Sequence, residues 1–388
     1  MKYHIGVILA AGVITLAGIA GCSTTPEKTV GANELRIGVI MPLTGAYAPY
    51  GKAVVRGMEL YQEKFALEHP DLRLRLITVD NHSTAEGSIA AYRQLINQNH
   101  VPVVVGAYTS ANTFPLLPEI RKNQVPVITP TATHDEITKR NPYMFRTCFN
   151  DSFQGEAMGR YLREKVGIEK LGILWCLNVN DGDYSRDLGR SVMETFKKDG
   201  KGSVKTVGYN IAQKNFAAQI KELQDAEVEA VFAPLYPADL EAFLPAATAA
   251  GLRVFGSDSW SADGLVEKLG EAGNSGVYSC MFSPQYQDPN LIRFVNFARD
   301  RGLEPGVCLA QGFDTAGILC SVMTPSSTAQ KITEALSEVR NYPGVTGPTS
   351  IYKDGRTTKN VFIVKIVWDK FNHRAVKTLE YTIEPTLK

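Results

Sequence analysis

The residues with types and spacing suited to chemistry in this 388-residue chain are hydroxyls, Thr109-Ser110 and Thr131-Ala132-Thr133. Each group directly follows a short β-branched run, Val101-Pro-Val-Val-Val105 or Val125-Pro-Val-Ile128, and precedes a helical pattern. Such runs, alternating with helices, read as buried parallel strands, and ligands of parallel sheets sit beyond the strands' carboxyl ends. Ser110 stands where a helix N-cap belongs, and Thr133 with Glu136 spells a T-x-x-E capping box. Two hydroxyl-lined helix N-termini side by side would suit a carboxylate or phosphate. Taken alone, the same hydroxyls read more simply as ordinary helix caps.

Bond-making chemistry is not spelled in the sequence. There is no G-x-S-x-G elbow, H-E-x-x-H, P-loop or strand-borne G-x-G-x-x-G. His69, His82, His100, His134 and His373 share no motif, and no Cys/His spacing suggests a metal. Neither an enzyme nor a cofactor follows from this inventory. A formal net charge of +1 without a Lys/Arg cluster argues against a nucleic-acid partner. Binding without turnover is what remains.

The N-terminus carries a targeting signal. Lys2 and His4 precede an apolar run from Ile5 to Ala20, and Ile19-Ala20-Gly21-Cys22 is similar to a bacterial lipobox. That resemblance implies residues 1–22 as a lipoprotein signal peptide with lipid attached at Cys22. Residues 23–33 follow as a polar tether. Five cysteines remain (Cys148, Cys176, Cys280, Cys308 and Cys320), an odd number in mostly apolar surroundings, which suits structural thiols.

The elements that must position the hydroxyls form two similar halves. The first strand is Leu35–Met41, followed by a loop and a helix burying Val54, Met58, Tyr61 and Phe65. A strand with Leu72, Leu74 and Leu76 and a helix with Ala85, Ile89, Tyr92 and Ile96 lead to the opening stretch. From Lys170 the β-α-β-α-β-α-β order repeats, with strands at Leu171–Trp175, Val204–Tyr209, Val228–Ala233 and Leu252–Phe255. Two doubly wound α/β lobes follow. Beyond them lie helices near 290–301, 307–323 and 329–340, a hairpin signal at Tyr352–Arg356 and a strand from Asn360 to Trp368. A second hairpin is expected at Lys370–His373.

With these pieces placed, the mature chain resembles the type I periplasmic solute-binding proteins, nearest the leucine/isoleucine/valine-binding receptors of amino-acid ABC transporters. The motifs that carry the likeness are Ile37–Gly45 with Tyr50-Gly51, Val105–Ser110, Val127–Thr133, Asp183-Tyr184, Tyr236 and Gly256-Ser-Asp258. The resemblance implies two Rossmann-like lobes joined by a three-crossing hinge. Its lobes would be 34–147 plus 284–343 and 148–283 plus 344–388, with crossings at Arg146–Asn150, Cys280–Pro284 and Pro343–Pro348. It also implies roles. Ser110 and Thr133, with backbone N–H groups around Thr109, would hold a ligand α-carboxylate. Asp258 and the Thr131 carbonyl would receive the α-ammonium. Tyr184 and Tyr236 would close from the second lobe, while Tyr50 and Tyr108 would wall the side-chain pocket. Ala132 belongs to the same ligand-binding loop.

This chain departs from the family pattern in ways that bear on the ligand. Asp258 stands where relatives often carry Glu, Tyr108 where leucine binders are aliphatic, and Thr131 where they have Ala. The expectation is a monomeric, lipid-anchored receptor at the periplasmic or cell-surface face. It would close on a small amino acid, branched-chain or related, and deliver it to a membrane permease. The alternatives are a receptor for a non-amino-acid carboxylate such as an aromatic acid, and a ligand-sensing regulator of a membrane partner.

Overall fold

The computed structural model describes residues 33–385 apart from 140, 179–182 and 263. The signal segment, Cys22 and nearly all of the tether lie outside the described residues. Strands β1 (Glu34–Met41), β2 (Arg73–Asp80), β3 (Val104–Val105), β4 (Val127–Thr129) and β5 (Met144–Arg146) form one all-parallel sheet in the order β2-β1-β3-β4-β5. Its central strands are buried along their whole length, as parallel strands covered on both faces must be. β3 and β4 are shorter than the β-branched runs suggest. Pro102 and Pro126 have no N–H to donate, so the ladder forms only past them.

The second sheet repeats the plan. Strands β6 (Lys170–Cys176), β7 (Ser203–Tyr209), β8 (Ala230–Ala233), β9 (Val254–Gly256) and β10 (Val277–Cys280) lie parallel in the order β7-β6-β8-β9-β10. A small antiparallel sheet, β11 (Tyr342–Gly344), β12 (Gly347–Ile351) and β13 (Thr357–Thr358), turns at the expected Tyr352–Arg356 hairpin. Then β14 (Val361–Asp369) and β15 (Arg374–Ile383) join the second sheet antiparallel beside β10, with the second hairpin at 370–373. Both sheets therefore share one strand order. Each has its switch point between its first and third strands, where a crevice opens.

Helices α1 (Ala48–Glu68), α2 (Ala85–Asn97), α3 (Ser110–Thr113) and α4 (Leu117–Asn123) cover the first sheet. α5 (Asp151–Arg160) leads into the second, whose strands are followed by α6 (Asp183–Phe196), α7 (Ala217–Asp225), α8 (Pro237–Ala249) and α9 (Leu265–Leu269). Between β10 and β11 run α10 (Pro289–Arg299), α11 (Val307–Val322) and α12 (Ala329–Ser337), and α11 packs on α1. Those two helices touch through reciprocal glycines. A Cβ on Gly57 would meet the Leu309 carbonyl oxygen at 2.0 Å, and one on Gly312 the Val54 carbonyl oxygen at 2.0 Å. Only glycine permits that approach, and it brings the first turns of α11 beside the loop ahead of α1.

The chain passes between the sheets three times, and buried charges hold two of these passages. Arg146, 1% exposed, donates to the carbonyls of Thr133 (2.5 Å) and His134 (2.7 Å) and to Thr138 Oγ1 (3.1 Å). Asp314 accepts from the N–H groups of Val345 and Thr346 and from the Thr346 hydroxyl, with Lys359 Nζ at 4.0 Å. All five cysteines past residue 33 are free thiols. Among the described residues no helix is long and apolar enough to cross a membrane.

Candidate functional site

The cleft forms where the carboxyl ends of the two sheets face each other. Its first wall depends on Asp80, at the end of β2. This carboxylate accepts from the N–H groups of Leu43, Thr44 and His82 and from the Thr44 hydroxyl. Burial opposes its ionisation, but these hydrogen bonds outweigh that and hold the carboxyl down at about 2. Gly51 completes the anchoring, because any Cβ there would sit 2.2 Å from the Pro42 carbonyl oxygen. The loop so fixed presents Tyr47, and the first turn of α1 presents Tyr50. Tyr108, just past β3, stacks on Tyr50 with ring centres 6.0 Å apart and 16° between planes, and lies 6.0 Å from Tyr47.

The hydroxyl end differs in detail from the sequence expectation. The N-cap of α3 is Thr109, whose Oγ1 accepts from Asn112 N–H (3.2 Å), and Ser110 is the first helical residue. Ser110 Oγ instead accepts from His134 N–H (3.3 Å), which ties the two hydroxyl loops together. No capping box forms at Thr133. Only a 3-10 turn, Asp135–Ile137, follows β4, and the His134 ring caps it. The Thr133 carbonyl is occupied by Asp151 N–H (3.0 Å) and Arg146, which pull the chain toward the second sheet before a helix can wind. Thr131 Oγ1 donates to the Tyr108 carbonyl (2.6 Å). Ala132 does not line the cleft: it is buried, its N–H bonded to Thr129 Oγ1 and its carbonyl to Cys148 Sγ. Thr109, Ser110, Thr131 and Thr133 do line it.

The opposite wall is acidic. Asp258 opens a short 3-10 turn after β9, braced by Trp260, whose indole lies against Gly256 and donates to the Ala233 carbonyl (3.1 Å). Asp258 Oδ1 accepts from Tyr184 Oη (2.6 Å) and Gln154 Nε2 (2.8 Å). Burial pushes this carboxyl above the ordinary range despite those bonds. Behind it stands Asp151, the first residue of α5 and 1% exposed, its carboxylate met by the Thr133 side chain. Burial first, and then the charge of Asp258, hold Asp151 well above its usual value. Tyr184 is buried likewise, and burial followed by Asp258 raises its hydroxyl.

Together these residues enclose a cleft of about 640 Å³, open solvent at its mouth included. Tyr236 meets Tyr184 at 5.5 Å and Tyr47 at 6.2 Å between ring centres, so aromatic contacts cross the opening. Nearby, His134 Nε2 lies 2.6 Å from Asp187 Oδ2 on α6. The His134 Nδ1 accepts from Glu136 N–H (3.2 Å), so the proton sits on Nε2 and is donated to Asp187. All the sequence-expected binding residues except Ala132 meet at this one cleft.

Sequence reasoning missed Tyr47, Asp151, Met281, Val307, Cys308 and Gln311. All but Asp151 line the cleft. Tyr47 lies three residues before Tyr50, at the start of α1, and could have been read with it. Asp151 follows Asn150 in an N-cap pattern, which hides a buried carboxylate behind an ordinary helix start. Gln311 and Asp314 interrupt a mostly apolar helix, a signal that was visible in the sequence.

Comparison with known proteins agrees with this geometry. The profile of the family "Periplasmic binding protein" matches residues 34–372, and the chain belongs to that family, one of binding proteins and not of enzymes. It is 26% identical to the Leu/Ile/Val-binding protein homolog 3 of Brucella melitensis biotype 1. That alignment covers 58% of this chain and 60% of the relative, less than two thirds of its length. Among solved structures, a leucine binding protein LivK from Thermotoga maritima MSB8 superposes with a TM-score of 0.81 at 24% identity, covering 90% of this chain and 99% of that one. A solute binding protein of an ABC transporter from Rhodopseudomonas palustris BisB5, in complex with 3,4-dihydroxy benzoic acid, gives a TM-score of 0.78 at 21% identity. It covers 90% of this chain and 97% of that one. At these identities the structures establish the two-lobed type I fold.

Proposed function

We propose that this member of the periplasmic binding protein family is the capture subunit of an ABC importer, and that its ligand is a small L-amino acid held as a zwitterion. The lobes are 34–147 plus 284–343 and 148–283 plus 344–388, and they close by rotation about the three crossings. Ser110 and Thr133 take the ligand carboxylate, with Thr109 and Thr131 shaping that end. Asp258 takes the ammonium. Tyr184 and Tyr236 seal the cleft, and Tyr50 and Tyr108 wall the side chain. Cys22 carries the lipid that keeps the receptor at the membrane beside its permease, on the periplasmic or cell-surface side.

The observation that supports this reading most is the pair of carboxyls at one end of the cleft. Asp258 lines the cleft with Asp151 behind it, and burial raises both carboxyls. Two buried carboxylates repel each other and lose hydration, so a cation held against Asp258 from the cleft side relieves both costs. A ligand with hydroxyl-binding carboxylate at one end and ammonium at the other meets that need.

A second reading, an aromatic acid, draws on the five tyrosines at the cleft (Tyr47, Tyr50, Tyr108, Tyr184 and Tyr236) and on the benzoate-type ligand of the Rhodopseudomonas neighbour. It leaves Asp258 facing no positive charge. Thermal shift separates the two. A panel of L-amino acids and hydroxybenzoates is added near 100-fold over Kd, where one-site linkage stabilises by about 2.7 kcal/mol. Shifts from amino acids alone are expected. Shifts from hydroxybenzoates alone refute the zwitterion, and no shift from either class favours a regulator that docks on a membrane partner.

A further inference from the structure

The acidic and hydroxyl ends of the cleft account for an amino acid's backbone groups and say nothing of its side chain. That identity is written at the floor, on α11. Val307, Cys308 and Gln311 are spaced i, i+1 and i+4, so they share one helical face, and all three line the cleft with Met281 from the chain just past β10. Gln311 is fully buried (0% exposed). Its Nε2 donates to Met281 Sδ (2.7 Å), while its Oε1 has no hydrogen-bond partner.

The orientation of this amide follows from its surroundings. A thioether is a weak acceptor and cannot donate, so the N–H side of the amide faces it. The reverse arrangement would set oxygen lone pairs against sulfur lone pairs and leave both N–H groups unpaired. The strong acceptor is therefore the atom left over. A buried carbonyl oxygen without a donor is costly, and a native structure that keeps one has a use for it. The same cleft also has apolar and aromatic lining from Met281, Val307 and the Tyr50–Tyr108 stack.

We propose that Gln311 selects the ligand: the bound amino acid has an apolar stem and a terminal hydrogen-bond donor, O–H or N–H, that satisfies Gln311 Oε1. The inference rests on the zwitterion reading above. It places the preference of this receptor with polar side chains and against the branched aliphatic ones of similar size.

Matched pairs of L-amino acids test it by calorimetry on the full chain: threonine against valine, asparagine against leucine, glutamine against methionine, tyrosine against phenylalanine. Each pair is close in shape and differs chiefly in the donor. The expected result is about tenfold tighter binding of the donor-bearing member in the preferred pair. Gln311→Met is expected to abolish that ratio while binding the apolar member as well as or better than before. The wild-type ranking alone overturns the proposal if the apolar member binds equally or more tightly in every pair. Equal weakening of both members in Gln311→Met also overturns it, since that is the mark of a structural role. If no amino acid of either kind binds, the zwitterion reading itself has failed, an outcome distinct from a wrong ranking.

Discussion

Replacing Asp258 with asparagine bears most directly on how the cleft holds its ligand. Oδ1 already accepts two hydrogen bonds, from Tyr184 Oη and Gln154 Nε2, and both partners are donors there. In Asp258→Asn the amide oxygen must keep that position, so the NH₂ group replaces Oδ2 toward the ligand. The ammonium then loses its counter-charge and meets a donor. Truncating one partner of a buried, hydrogen-bonded charge pair costs about 2–5 kcal/mol, which is roughly 30- to 5,000-fold in affinity. A ligand with a micromolar Kd would fall to roughly 30 μM–5 mM. The same change should raise the melting temperature of the ligand-free protein, because it removes a carboxyl that burial holds away from ionisation. Isothermal titration calorimetry with scanning calorimetry reads both effects. Affinity within threefold of wild type refutes the ammonium assignment. Weaker binding with a lower ligand-free melting temperature refutes the electrostatic reasoning, since it signals a damaged cleft.

The same carboxyls fix the sign of two pH effects, and the helix contact gives a stability test. Asp151 and Asp258 are both raised on folding, so their contribution to ligand-free stability is intact below the ordinary carboxylate value of about 3.9. It is lost as pH climbs from there through the raised values. An ammonium lowers both again, so amino-acid affinity should increase with pH across that window and binding should release protons. Calorimetry in buffers of different ionisation enthalpy measures this, and affinity that does not vary between pH 4 and 7 would count against the paired carboxyls. Gly312→Ala drives a methyl into the Val54 carbonyl oxygen and should destabilise by about 1–3 kcal/mol despite better helix propensity. An unchanged urea midpoint would show that α1 and α11 can part freely.

Much of the architecture was legible because it is repetitive and local. β-Branched runs alternating with amphipathic helices announce parallel strands whatever they pack against, and the repeat near Lys170 announces the second lobe. The ends of elements were less legible, since they are decided by whichever partner takes up the last backbone groups. T-x-x-E at Thr133 is a sound helix start in isolation. The helix does not form because Arg146 and Asp151 N–H claim the Thr133 carbonyl. Likewise Thr109, and not Ser110, caps α3, because Ser110 Oγ is engaged by His134 N–H from the neighbouring loop.

What the sequence determined by itself is the fold class, the two sets of strand-end hydroxyls and, through family resemblance, the place of Asp258. Hydrophobic periodicity and turn chemistry act over a few residues and survive being read one dimension at a time. Only the tertiary structure decided that Asp151 stands behind Asp258 and that Gln311 keeps an unpaired oxygen at the floor of the cleft. Asp151 lies more than 100 residues before Asp258 and Gln311 more than 50 after it, and no spacing rule links them. Their chemistry arises from burial and from which neighbours fail to supply a donor, and those are properties of a packed interior.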